Sequence, residues 1–180
     1  MKARVIRVVL AALMIMSIAA LVSCDFFTGF WDPLAMKSYY LYAACYSSDS
    51  VWAYEIDART GALTKIGDYR QANASCLAVD PAGKFVYVTN AWAPSKLWAY
   101  TINADTGALT PVSDSPLAAG TDSSSVTGDP TGRFVYVATG GSKVVAYTID
   151  AGTGTPTPMA DSPFETGMAP SGIATVKIGH

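Results

Sequence analysis

Trp52-Ala53-Tyr54-Glu55-Ile56-Asp57, Trp98-Ala99-Tyr100-Thr101-Ile102-Asn103 and Val145-Ala146-Tyr147-Thr148-Ile149-Asp150 are three versions of one segment. Each runs into a Thr-Gly turn, at Thr60-Gly61, Thr106-Gly107 and Thr153-Gly154. The central alanines are spaced by 46 and then 47 residues (positions 53, 99 and 146). A near-constant period in the forties, filled with short alternating apolar runs, is the mark of a β-propeller assembled blade by blade.

Working outward from the middle copy, four strand-like runs fill one repeat. They are Ser75–Val79, Lys84–Asn90, Lys96–Ile102 and Ala108–Val112, here lettered a to d. Val, Tyr, Phe, Trp and Thr alternate within them, as half-buried strands require. Asp80-Pro81-Ala82-Gly83 reads as the a–b turn: Asp opens it, Pro presets φ, and Gly allows positive φ. Pro111 places strand d on the outer edge, where no ladder donor is needed. The third repeat follows the same plan: Ser124–Thr127, Arg133–Ala138, Lys143–Ile149 and Thr155–Met159, with Asp129-Pro130-Thr131-Gly132 as its turn. The first repeat starts at strand b (Ser38–Ala43) and continues with Val51–Ile56 and Ala62–Ile66. No strand a precedes it, but Pro170–Val176 has the pattern of one. The expected fold is therefore all-β. Three four-stranded antiparallel sheets form a partial propeller, with the last strand of the chain completing the first blade.

The N-terminus carries a different signal. Lys2, Arg4 and Arg7 precede an apolar stretch from Val8 to Val22 that only Ser17 interrupts. This is the layout of a secretory signal helix. Leu21-Val22-Ser23-Cys24 resembles a bacterial lipobox, which implies lipidation at Cys24. The domain reading is a lipoprotein signal over 1–23, a tether over 24–37 and the three-blade repeat domain over 38–180. Phe26, Phe27, Phe30 and Trp31 in the tether suit either a membrane surface or a cover for the first blade. The expected location is the bacterial cell envelope, facing the periplasm or exterior, with the membrane as a partner through the lipid.

Without the signal, nine basic side chains face fourteen acidic ones, a formal charge of −5. No basic run is present, so nucleic acid is not an expected partner. Cys45 and Cys76 fall at strand ends that open on one propeller face, and an exported chain permits a disulfide between them. Two small half-buried thiols are the alternative.

The residues also carry a family resemblance. Tyr87-Val88-Thr89-Asn90 is a literal YVTN signature. With Asp80-Pro-Ala-Gly-Lys-Phe-Val before it and Ala-Tyr-Thr-Ile…Thr-Gly-Ala-Leu-Thr after it, the unit resembles the repeat of the seven-bladed lactonase-type, 6-phosphogluconolactonase-like propellers. Asp114-Ser115-Pro116 and Asp161-Ser162-Pro163 match that repeat as well. The resemblance covers about residues 38 to 178 and implies a lactone hydrolase using polar residues of a central cleft. The only histidine is His180, and no catalytic residue of the family maps onto a position here.

The d–a and b–c connections should gather on one face. There Arg70 is a candidate anion contact and Trp92 a stacking platform, with Asp114 and Asp161 placed beside them. Asp80 and Asp129 recur in register and read as turn formers. The aromatics at 40, 85 and 134 and at 54, 100 and 147 read as packing between blades. No metal-ligand spacing or phosphate loop occurs, so no metal and no cofactor are expected. Two functional classes follow: a lipid-anchored binding or interaction module, and a lactone hydrolase. A fragment of a longer propeller is a third reading. A module with open blade faces would pair with itself, two copies completing a six-bladed ring, or with another envelope protein.

Overall fold

The computed structural model describes residues 38–179. The signal sequence, Cys24, the aromatic tether and His180 lie outside the described residues. The described chain forms three antiparallel sheets in sequence order. The first contains β1 (Tyr39–Cys45), β2 (Ser50–Ile56) and β3 (Leu63–Arg70). The second contains β4 (Ala74–Val79), β5 (Phe85–Asn90), β6 (Lys96–Ile102), β7 (Leu109–Pro111) and β8 (Leu117–Ala118). The third contains β9 (Ser123–Gly128), β10 (Phe134–Thr139), β11 (Lys143–Ile149), β12 (Pro156–Pro158) and β13 (Phe164–Glu165). These are blades of the propeller type, as the period required.

The turns follow from local hydrogen bonding. Asp80 Oδ1 accepts from the backbone N–H groups of Lys84 (2.5 Å) and Phe85 (2.7 Å), while Oδ2 accepts from Ala82 (3.1 Å). Asp129 repeats the arrangement with Arg133 and Phe134, both at 2.8 Å, and Thr131 at 2.9 Å. Asp57, Asn103 and Asp150 each accept two backbone N–H groups at the c–d turns. A short side-chain acceptor two to five residues from free donors stabilises a turn in this way wherever it occurs, which is why these positions repeat.

The blades pack face to face, and the alternation of each strand decides which neighbour a side chain meets. Every residue of β5, in the middle blade, is buried, because both faces of that strand are covered. Val86, Val88 and Tyr100 join Val51 in the core between blades one and two. Phe85, Tyr87 and Leu97 join Val137 and Tyr147 in the core between blades two and three. Of the recurring aromatics, Phe85, Tyr100 and Tyr147 thus pack between blades, as does Tyr40 against Gly107. Two glycines make it possible. A side chain at Gly107 would run into the Tyr40 ring, and one at Gly154 into the Phe85 ring. Both glycines also hold positive φ, +66° and +75°. The aromatic of one blade therefore lies on the c–d turn of the next. The Tyr42 hydroxyl, donating to Gly107 O at 2.8 Å, fastens the same joint.

The observed strands depart from the expected ones in two respects. The outermost strand of blades two and three is split. β7 pairs with the Tyr100–Ile102 end of β6, and β8 with Lys96 and Leu97 at the other end. Between them Ser115 Oγ accepts the Ala99 N–H at 2.8 Å, and Ser162 Oγ accepts the Ala146 N–H at 2.9 Å. The serine of the Asp-Ser-Pro motif thus replaces a missing backbone acceptor. In addition, among the described residues the first blade has three strands, and residues 170–176 do not complete it. They run beside β9: Ser124 Oγ donates to Pro170 O, Ile173 N donates to Ser125 Oγ (3.3 Å), and Thr175 Oγ1 donates to Gly128 O (2.5 Å). Three blades in sequence order place the two ends of the repeat on opposite outer faces, so this segment meets blade three.

Candidate ligand face

The b–c turns and d–a connections lie at one end of the strands. Asn90, the last residue of the YVTN signature, organises the turn of the middle blade. Its Nδ2 donates to Trp92 O at 3.0 Å, and its Oδ1 accepts from Lys96 N at 2.6 Å. The turn thereby presents Trp92, which is 60% exposed. The Trp92 indole N–H donates to the hydroxyl of Tyr46, itself 44% exposed. Tyr46 belongs to the b–c turn of blade one, so this pair bridges two blades. Asp49 secures that turn from below: its backbone O accepts from Gln71 N (2.8 Å) and its Oδ1 from Asn73 N (2.7 Å). Gln71 is buried, accepts the Tyr100 hydroxyl at 3.1 Å on Oε1, and has an Nε2 without a hydrogen-bond partner.

Arg70 ends β3 opposite Ser50 and is exposed at the same end of the blade. Arg70, Trp92 and Tyr46 therefore share one end of the sheets. Asp114 and Asp161 do not join them. Each directly precedes the serine that bonds the middle of a c-strand, so each lies halfway along the outer edge of its blade. Sequence spacing could not show this, because the split of the outer strand is visible only once β8 and β13 are seen to pair. Lys143 at this end forms an ion pair with Glu165 at 3.4 Å. Tyr46 and Asn90 were missed as site residues. The Asn of the signature was the available signal for the second.

Of the two alternatives for Cys45 and Cys76, the structure shows the second: both thiols are free and half-buried, and no bridge joins them. Cys76 Sγ faces blade three, where it donates to Ser124 O at 3.1 Å, whereas Cys45 Sγ lies against Ala43 O at 3.6 Å. Different backbone neighbours hold the two sulfurs apart.

Asp57, Asp129 and Asp150, all turn carboxylates, have shifted pKa values. Hydrogen bonds from Thr60 and Arg59 hold Asp57 below the ordinary carboxylate range, and those from Thr153 and Gly152 do the same for Asp150. Burial acts to raise Asp129, but the bonds from Thr131, Phe134 and Arg133 outweigh it and leave the group lowered. Such carboxylates stay ionised and accept hydrogen bonds; a general acid at neutral pH needs the opposite shift. Burial, with Tyr69 and Tyr40 nearby, pushes the Tyr42 phenol up to about 12. A cavity of about 310 Å³ lies at the opposite end of the strands, lined by Asp80, Phe85, Pro130 and Thr131. The Asp80 carboxylate in it is fully engaged by its turn. Among the described residues, no group of three or more His, Cys, Asp or Glu side chains is placed to hold a metal ion.

Repeated antiparallel blades, with proline-bearing outer strands in blades two and three and a YVTN-latched turn, define a lactonase-type propeller. The family described as Lactonase, 7-bladed beta-propeller matches residues 69–170, and the chain belongs to it. No curated protein matches the chain in sequence. Among solved structures it is similar to a candidate 6-phosphogluconolactonase from Bacteroides fragilis, with 18% identity and a TM-score of 0.67 over 74% of this chain and 37% of that one. The periplasmic gluconolactonase of Pseudomonas aeruginosa gives 20% identity and a TM-score of 0.64 over 72% of this chain and 38% of its own. A Lactobacillus plantarum protein gives 22% and 0.64 over 74% and 40%. At these identities the likeness is one of fold, and the chain spans about two fifths of the length of these relatives.

Proposed function

We propose that this chain is a lipid-anchored, extracytoplasmic propeller module that binds a sugar or sugar-acid ring at the end of the blades bearing Trp92, Tyr46 and Arg70. One observation carries the reading: a largely exposed indole is held in place by its own turn and by a tyrosine of the neighbouring blade. A fixed aromatic surface is suited to the apolar face of a sugar ring, and an exposed guanidinium to a carboxylate or phosphate on it. Titrating gluconate or 6-phosphogluconate into the protein should change its tryptophan emission saturably. Trp92→Ala should weaken binding at least about tenfold, the effect of losing roughly 1.4 kcal/mol of contact. Binding unchanged by Trp92→Ala would reject this site.

A second reading, lactone hydrolysis, is supported by the family match and by the gluconolactonase among the similar structures. Against it stands a single histidine, at position 180. Turnover of glucono-lactones above the uncatalysed rate, abolished by heat denaturation, would establish the second reading and displace the first.

The anchor is testable separately. Mass spectrometry of membrane-extracted protein should find an N-terminal peptide beginning at Cys24 and carrying acyl mass, and Cys24→Ala should release the chain from the membrane. An unmodified Cys24 inside a longer N-terminal peptide would refute lipidation.

A further inference from the structure

The b–c turn of blade two is fastened at both ends and in the middle. Asn90 Nδ2 holds Trp92 O near one end (3.0 Å), and Asn90 Oδ1 holds Lys96 N at the other (2.6 Å). Between them Ser95, 1% exposed, is tied to the d–a connection that follows. Its N–H donates to Gly120 O (3.1 Å), its O accepts from Ala119 N (2.8 Å), and its Oγ accepts from Ser123 N (3.0 Å). An indole and an ammonium are thus set on one short, fixed segment, with the indole braced by Tyr46 of blade one. Lys96 looks the same way. Side chains alternate along β6, and Tyr100 and Trp98 pack on the core shared with blade one, so Lys96 leaves the strand on that face too.

Blade three shows what a lysine at this position binds. Lys96 opens β6 and Lys143 opens β11, in the same register. Lys143 stands opposite Glu165 and forms an ion pair with it at 3.4 Å. Lys96 stands opposite Ala118, an exposed residue whose side chain ends where the glutamate chain continues. Blade two therefore keeps the cation and the room for that ion pair, with a methyl group in place of the carboxylate. The b–c turn differs in the same direction: blade three has Gly140 and Gly141 where blade two has Trp92. One blade neutralises its own lysine and has no ring beside it; the other presents ring and cation together. Every residue of this comparison lies between Tyr46 and Glu165, both partners of each strand pair included.

We infer that Lys96 binds the carboxylate of a hexuronate whose pyranose ring rests on Trp92, the ligand's carboxylate standing where that of Glu165 stands in blade three. The inference rests on the sugar reading of this face and narrows it. A hexuronate keeps a closed ring beside its carboxylate, so a single unit uses both the indole and the ammonium. An open-chain aldonate such as gluconate has the carboxylate without the ring face. A neutral glycoside has the ring face without the carboxylate. Lys96 is then the residue that selects the acidic sugar, and Trp92 the residue that selects a ring.

Isothermal titration calorimetry of the full-length protein with methyl β-glucuronide, methyl β-glucoside and gluconate tests it. The glucuronide should bind about tenfold tighter than either of the others, the effect of one charge-assisted hydrogen bond. Lys96→Met should abolish that preference and Lys96→Arg should keep it. Ala118→Glu should also abolish it, by giving Lys96 the carboxylate that Lys143 already has. A lysine that only supported the turn would keep its role in Ala118→Glu, so this variant separates ligand binding from structure. Absence of binding by all three compounds, or binding that Trp92→Ala leaves intact, rejects the sugar reading and this inference with it. Trp92-dependent binding without a glucuronide preference overturns this inference alone. So does a preference that survives Lys96→Met and Ala118→Glu, or one that only Arg70→Met removes.

Discussion

Gly154→Ala should destabilise the chain by about 4 kcal/mol, the sum of left-handed strain and overpacking against the Phe85 ring. Gly61→Ala is the control, because it has nearly the same positive φ (+71° against +75°). Among the described residues its Cβ enters open space, so about 1–2 kcal/mol of strain is the whole expected effect. Urea unfolding of dilute protein, where contacts between copies are dispersed, measures both. Equal losses would mean that the aromatic-on-glycine contact contributes nothing beyond backbone conformation. Gly107→Ala should behave like Gly154→Ala, since Tyr40 lies on Gly107 in the same way.

Tyr147→Ala should cost about 4 kcal/mol, the usual penalty for deleting a buried aromatic, and leave little folded protein at moderate temperature. Tyr147 is fully buried between blades two and three, and its hydroxyl donates to Ala118 O. Burial pushes its phenol up to about 12, so it remains a neutral donor through the working pH range. Tyr147→Phe keeps the ring and loses one hydrogen bond, for which about 1 kcal/mol is expected. Thermal melts of the two variants separate the ring from the hydroxyl. A Tyr147→Phe variant as unstable as Tyr147→Ala would place the stabilisation in the hydrogen bond instead.

The local chemistry of the repeat was legible in the residues. Strands c came out at their expected limits, Lys96–Ile102 and Lys143–Ile149, because alternation and flanking turns bound them tightly. The outer position of Pro111 and Pro156 was legible for a different reason: a residue without an N–H cannot sit inside a ladder. Asp80 and Asp129 read correctly as turn formers because their acceptors act over two to five residues. The candidate site was legible only in part. Trp92 and Arg70 were placed at the right end, but Tyr46 bonds Trp92 across 46 residues, and no spacing rule reaches that far. Asp114 and Asp161 were drawn to the wrong place because a two-residue strand such as β8 leaves almost no pattern in the sequence.

The sequence by itself determined the building block: its period, its strand faces, its turns and its membership in a lactonase-type propeller class. Those features depend on side-chain alternation and hydrogen bonds over a few residues, which repeat wherever the same residues recur. Only the tertiary structure decided where the blades stop matching. It put residues 170–176 against β9 rather than β1 and kept Cys45 and Cys76 unbonded. Each of these is a relation between faces of successive blades. Such relations depend on how one sheet is stacked on the next, and no residue encodes that stacking alone.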